Sequence, residues 1–122
     1  MKNEQKPAPS AAETATDTDR KVLGLLGFAA RARKLIVGAS QVCEALGTGK
    51  APLIVVEAGD TSAATHKRLS DKTSYYHTPR ARLTVSATAL AAAVGKKEAA
   101  VAAVGVTEPH IAAEIGRLTE NI

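Results

Sequence analysis

The chain has 122 residues, with sixteen Lys or Arg against twelve Asp or Glu and 45% hydrophobic residues, which excludes a low-hydrophobicity disordered chain and fits one domain of roughly 100 residues. The single cysteine, Cys43, excludes an intramolecular disulfide framework and a multi-cysteine zinc site, and no apolar run reaches the roughly 18 residues of a membrane span. Residues 1–19 carry Lys2 and Lys6 against Glu4, Glu13, Asp17 and Asp19, so the net charge of +4 leaves +6 on the remainder and raises the expectation of an anionic partner.

Residues 1–17 hold no apolar residue larger than Ala after Met1 and are expected to form a disordered polar tail ahead of a single domain at 18–122. The first twenty residues lack an apolar signal-peptide core, so a soluble cytoplasmic protein is expected. Thr18 is placed to cap a helix from about Asp19 to Arg33, with Val22, Leu25, Leu26 and Ala29 on one face. Leu35–Val37 reads as a short strand closed by Gly38, and Ala39–Leu46 as a helix with Val42, Cys43 and Leu46 inward. Ala51–Glu57 contains the continuous run Leu53-Ile54-Val55-Val56, which suits a central strand covered on both faces. Asp60, Thr61 and Ser62 offer caps for a helix to about Lys72. Leu83–Val85 is the next predicted strand, followed by a helix to Val94 that Gly95 ends. Ala99–Val106 is a strand, and Thr107 can cap a last helix starting near Pro109. The order αβαβαβαβα argues for a sheet between helix layers.

Residues 20–50 hold Arg20, Lys21, Arg31, Arg33, Lys34 and Lys50 against Glu44, and residues 64–82 hold Lys67, Arg68, Lys72, Arg80 and Arg82 against Asp71. Such runs are solvated surface one by one, but two clusters make a basic face if folding brings them together. Gly47-Thr48-Gly49-Lys50 has the ending of a phosphate-binding loop without its first glycine or its Ser/Thr, and in the reverse helix–strand order, so it reads as a helix-terminating turn. His66, His77 and His110 lack metal-ligand spacing and are expected in surface or capping roles, and Cys43 as a small buried hydrophobe. Asp71 lies near Ser70, Ser74 and His77 in sequence, but a triad needs geometry. Catalysis, cofactors and metals are therefore not expected. Phe28, Tyr75 and Tyr76 all fall outside the predicted strands, which excludes base stacking on a sheet. The two tyrosines are expected to cover the core.

Five strings in order resemble the kink-turn RNA-binding ribosomal proteins, the superfamily of the archaeal L-seven-Ae and eukaryotic L-thirty-e proteins, and within it a bacterial YlxQ-like branch. They are Leu25 to Lys34, Ile36-Val37-Gly38, Lys50 to Ala58, Asp71 to Pro79 and Leu90 to Lys96. The resemblance implies a single-domain α/β fold, a three-layer α-β-α sandwich with a mixed sheet of about four strands. It also implies a monomeric, non-catalytic protein that binds structured RNA and associates with the ribosome, with ribosomal proteins as further partners.

In that family RNA is gripped where the first strand turns into the second helix, at a Gly-x-Asn-Glu-x-x-Lys pattern. Here Gly38 keeps the glycine, Ala39 follows, and Ser40, Gln41 and Glu44 stand for Asn, Glu and Lys. Ser40 and Gln41 still donate and accept hydrogen bonds, whereas Glu44 puts an anion where the family has a cation. The resemblance extends the RNA-binding set to the loop of Lys97, Ala99 and Ala100, and Lys34, with Arg31 and Arg33, is expected to add charge at the helix N-terminus. A protein-interaction module that kept the fold and lost RNA is the alternative that the three replacements favour.

Overall fold

Thr16 opens the first helix: its Oγ accepts the amide of Asp19 at 3.0 Å. In the computed structural model, which describes residues 16–96 and 99–120, helix α1 accordingly runs Asp17–Arg31. It starts two residues before the expected position, Thr16 replaces Thr18 as the cap, and Thr16 and Asp17 leave the expected tail; its residues 1–15 lie outside the described residues. Then follow β1 (Leu35–Val37), α2 (Ala39–Leu46), β2 (Ile54–Glu57), α3 (Ala63–Tyr75), β3 (Arg80–Arg82), α4 (Ala87–Ala93), β4 (Ala103–Val106) and α5 (Pro109–Glu120). The alternating order expected from the sequence is met, and β1 and α2 have the expected bounds.

Three helices end by the same device. After α1, Lys34 donates its amide to Ala29 and Arg33 to Ala30; after α3, Thr78 donates to Thr73 and His77 to Ser74; after α4, Lys96 donates to Ala91 and Gly95 to Ala92. This double reverse bond needs a left-handed residue at the turn, and here Arg33 (φ 60°), His77 (φ 58°) and Gly95 (φ 86°) supply it. The first instance stops α1 at Arg31 rather than Arg33. α3 continues three residues past Lys72, capped by Ser62, whose Oγ accepts the Thr65 amide. α5 is capped by Glu108, not Thr107. The Glu108 carboxylate accepts the Ile111 amide at 2.6 Å, while the Thr107 amide donates to Lys34 O.

The sheet order is β1-β4-β2-β3, with β4 antiparallel to both neighbours and β2 parallel to β3. Val22, Leu26, Leu90 and Ile115 of α1, α4 and α5 pack with Ile54, Val56, Val104 and Val106 on one face; Val42, Cys43, Leu46 and Leu69 of α2 and α3 pack with Val55 and Ala103 on the other. This is the three-layer α-β-α sandwich. Both central strands are buried throughout, as the apolar run at residues 53–56 required. Both are shorter than expected, since Ala51 to Leu53 and Ala99 to Ala102 lead into the ladder from outside.

The third strand is displaced from its expected place. Arg80–Arg82 pairs with Val55–Glu57, whereas Leu83 and Val85, the residues expected to form it, turn into the core shared with α1 and α4. Apolar side chains there reflect burial at a turn, and the edge strand itself carries arginines.

Candidate nucleic-acid interface

Gly38 turns β1 directly into α2 at φ +108°, a conformation that a side chain opposes. Its amide donates to Ala103 O, and its carbonyl accepts from Val42. No side chain caps α2, and among the described residues the amides of Ala39, Ser40 and Gln41 meet no acceptor. The positive end of the helix is thus presented bare, an arrangement suited to a phosphate. The Gln41 side chain folds back over the turn, so that a Cβ on Gly38 would lie 2.5 Å from Gln41 Oε1. Ser40, Gln41 and Glu44 are exposed, and Ala39 is half-buried against the α2–α3 side of the core.

Strand register decides what stands beside this turn. Val37 pairs with Val104, and Ala103 also faces Glu57, which faces Arg82. Gly38, Ala103, Glu57 and Arg82 therefore form a row across the sheet at the end where β1, β2 and β3 terminate. The loop that holds exposed Ala99 and Ala100 enters β4 at this same end, while Lys97 lies outside the described residues. At strand spacings of about 4.8 Å, Arg82 stands roughly 14 Å from Gly38.

Arg31, Arg33 and Lys34 are not in this group. Leu35 pairs with Val106, so Lys34 enters β1 at the end opposite to Gly38, roughly 13 Å away along four residues. The expectation that Lys34 adds charge to the start of α2 is corrected on this ground. Arg31 instead stacks over Phe28, with its guanidinium carbon 4.8 Å from the ring centroid.

A charged cluster at the row was missed by sequence reasoning. Glu57 is fully buried, and its carboxylate accepts from Arg80 Nη1 at 2.7 Å, with His66 Nδ1 at 2.8 Å and Arg82 Nε at 3.6 Å. A carboxylate only accepts, so His66 carries its proton on Nδ1. His66 is thus neither a cap nor a free surface residue. The legible signal was an acid closing an otherwise apolar buried strand, which demands cations, and an Arg-x-Arg pair, which puts both on one strand face. Arg82 keeps 42% of its side chain in water.

Other candidates resolve as structure. Thr48 Oγ donates to Ala45 O and accepts the Lys50 amide, which makes Gly47-Thr48-Gly49-Lys50 a turn. Cys43 is buried. Asp71 accepts from Lys67 at 2.7 Å, which leaves no triad with Ser70, Ser74 and His77. Among the described residues no helix is long and apolar enough to cross a membrane, and no group of His, Cys, Asp and Glu is arranged to hold a metal ion.

Comparison with known proteins gives this geometry relatives. RNA-binding protein YlxQ of Enterococcus faecium is 40% identical over 60 residues, 49% of this chain and 57% of that protein, so the match spans little more than half of the relative's length. RNA-binding protein YlxQ of Bacillus subtilis is 35% identical over 80 residues, 66% of this chain and 78% of that protein. A solved structure of a protein of unknown function from Bacillus halodurans C superposes with a TM-score of 0.74 at 32% identity, covering 82% of this chain and 97% of that one. The Giardia lamblia 15.5kD RNA binding protein superposes with a TM-score of 0.73 at 18% identity over 96% of this chain and 98% of its own, a likeness of fold. The model of the ribosomal protein L7Ae/L30e/S12e/Gadd45 family matches residues 20–115, and the chain belongs to that family, as the five strings in its sequence indicated.

Proposed function

We propose that this protein binds structured RNA, without chemistry of its own, as a ribosome-associated accessory protein. The observation that carries the reading is the uncapped start of α2 at the positive-φ Gly38 turn, set beside the loop that enters β4. Bare amides receive a phosphate of the bent RNA. Ser40 and Gln41 meet base edges, and the small side chains of Ala99 and Ala100 leave room for a splayed nucleotide. Arg82, in the row with Gly38, is a half-exposed cation at the same end of the sheet as that phosphate. Two relatives carry the name RNA-binding protein, which supports the same reading.

A second reading has its own observation: Glu44 is exposed on α2 with no cation beside it among the described residues, which disfavours RNA and suits a protein partner. Titration of the full chain with a kink-turn RNA and with a plain duplex of equal length separates the two. RNA docking at α2 requires preference for the kink-turn, and Gly38→Ala, which strains the turn, should reduce that preference about tenfold, as one lost contact of about 1.4 kcal/mol would. No binding to any structured RNA at low salt would overturn the RNA reading and promote the protein-interaction one.

A further inference from the structure

The tyrosines do not cover the core. Tyr75 is 75% exposed and Tyr76 39% exposed, at the C-terminal end of α3. Their rings meet edge to face, with centroids 4.8 Å apart and planes at 86°. Tyr76 is in turn braced against the end of α2, where a Cβ on Gly47 would lie 2.9 Å from its hydroxyl oxygen. Tyr75 is therefore held against a braced neighbour while most of its side chain stands in water. It closes one end of an open groove of about 770 Å³ along α3, whose wall includes Ala64, Arg68 and Lys72. Spacings of four and three residues put Ala64, Arg68, Lys72 and Tyr75 in one stripe.

The charges of the stripe are unequal. Lys67 is engaged by Asp71, whose hydrogen bond holds the ammonium above its usual range. Arg68 and Lys72 make no ion pair among the described residues; Asp71, which also lines the groove, is taken by Lys67, so two cations lead along the stripe to the exposed ring of Tyr75. An acidic peptide would use the cations and leave the ring idle. A nucleotide chain uses both, because bases stack on the ring while phosphates, spaced along the strand, meet the cations. α2 and α3 run side by side in the same direction, since β1 and β2 are both antiparallel to β4. The stripe thus begins at the sheet end that holds Gly38 and extends about 16 Å away from it along α3.

We infer that the outer face of α3 is a second RNA contact, in which Tyr75 stacks an unpaired base of a single-stranded segment and Arg68 and Lys72 hold its phosphates; this rests on the RNA-binding reading above. The site is sequence-tolerant, because every base has a face to stack. It suits a single-stranded extension of an RNA whose folded part sits at Gly38.

The chain has two tyrosines and no tryptophan, so its intrinsic fluorescence reports on this face alone. Titrating the full chain with decauridylate at low salt should quench that emission, and anisotropy of fluorescein-labelled decauridylate gives the affinity. Tyr75→Leu should weaken decauridylate about fivefold or more, and Tyr75→Phe should retain it, since stacking needs a ring and not a hydroxyl. Arg68→Ala with Lys72→Ala should flatten the slope of log affinity against log salt by about 1.4, the single-strand value for two phosphates. A kink-turn RNA without a single-stranded extension should bind the Tyr75→Leu protein as it binds the wild type. Kink-turn binding with no quenching by decauridylate, or equal decauridylate affinity for Tyr75→Leu and Tyr75→Phe, overturns this inference and leaves the Gly38 site standing. Loss of kink-turn binding by Gly38→Ala with decauridylate unaffected supports two separate sites. A poly-glutamate peptide that binds as tightly as decauridylate would reduce the face to a simple basic patch and overturn the stacking role.

Discussion

Glu44 is the residue on which the two functional readings divide. It is exposed on α2, one turn beyond Ser40, on the side that continues from the bare amides. A carboxylate there repels phosphate and cannot donate to guanine O6 or N7, whereas a lysine attracts the one and donates to the other. Glu44→Lys should therefore tighten kink-turn binding by roughly tenfold, equivalent to about 1.4 kcal/mol. The control is Glu114→Lys, on α5 in the opposite helix layer, where the carboxylate is paired with Arg117. If both substitutions change the ratio of kink-turn to duplex affinity equally, Glu44 does not face RNA. The same scale shows how unevenly sequence exposes function. The Gly38 turn was legible because a glycine set directly between an apolar strand and a helix marks a backbone that a side chain would oppose. Tyr75 was misread because the body of a tyrosine is usually packed. Its placement follows from Tyr76, which the end of α2 braces, and that brace is a tertiary contact.

Among the elements, β3 depends most on distant partners. Arg80–Arg82 is three residues at the sheet edge, too short and too polar to be read as a strand, and it is held by a carboxylate 23 residues away. Glu57→Gln leaves Arg80 and His66 beside a neutral amide in a fully buried position. It should cost about 3 kcal/mol in denaturant unfolding, the low end for a broken buried pair because both arginines reach solvent. A loss under about 1 kcal/mol would show that β3 is held by its backbone ladder alone, since that is the worth of an exposed pair. Helix α5 gives a pH-dependent case. The Ile111 amide donates to the Glu108 carboxylate and holds its pKa below the usual 4.5, with His110 adding to the effect. A depressed carboxyl stabilises the fold above its unfolded value, and that contribution disappears as pH falls through the lower, folded value. The NMR titration midpoint of Glu108 should thus lie below that of an unstructured glutamate, and Glu108→Gln should flatten the acid side of the stability profile. A midpoint at or above 4.5 would contradict the cap.

At the scale of the whole molecule the basic charge is distributed over separate faces. Arg31, Arg33 and Lys34 lie at one end of β1, Arg82 at the other, and Arg68 and Lys72 along α3. RNA affinity should fall with salt at a log–log slope of roughly −3 to −5 for about four to six phosphate contacts. Replacing Arg31, Arg33 and Lys34 together with Ala should flatten that slope and weaken kink-turn and duplex alike, because these residues stand away from the Gly38 turn. A selective loss of kink-turn affinity would place them at the specific site instead. The tail has a sharp expected boundary. Removing residues 1–15, which are small and polar, should leave the melting temperature within a few degrees, since burying such residues gains little against ordering entropy. Removing Thr16 as well deletes the α1 cap and should cost about 1 kcal/mol.

Periodicity and punctuation in the sequence were sufficient for the element order, for the helix and strand on either side of Gly38, for the buried Cys43 and for the apolar central strand. These are local properties: a side-chain period of 3.6 or 2 and the backbone freedom of glycine act within a few residues. The five strings likewise indicated the family and its sandwich. Tertiary structure alone decided that Arg82 shares a row with Gly38, that Glu57 gathers Arg80 and His66, and that Tyr75 stands open. Each of these depends on strand register or on helix-to-helix contact. Such pairings are chosen by burial summed over the whole core and leave no periodic trace in the chain.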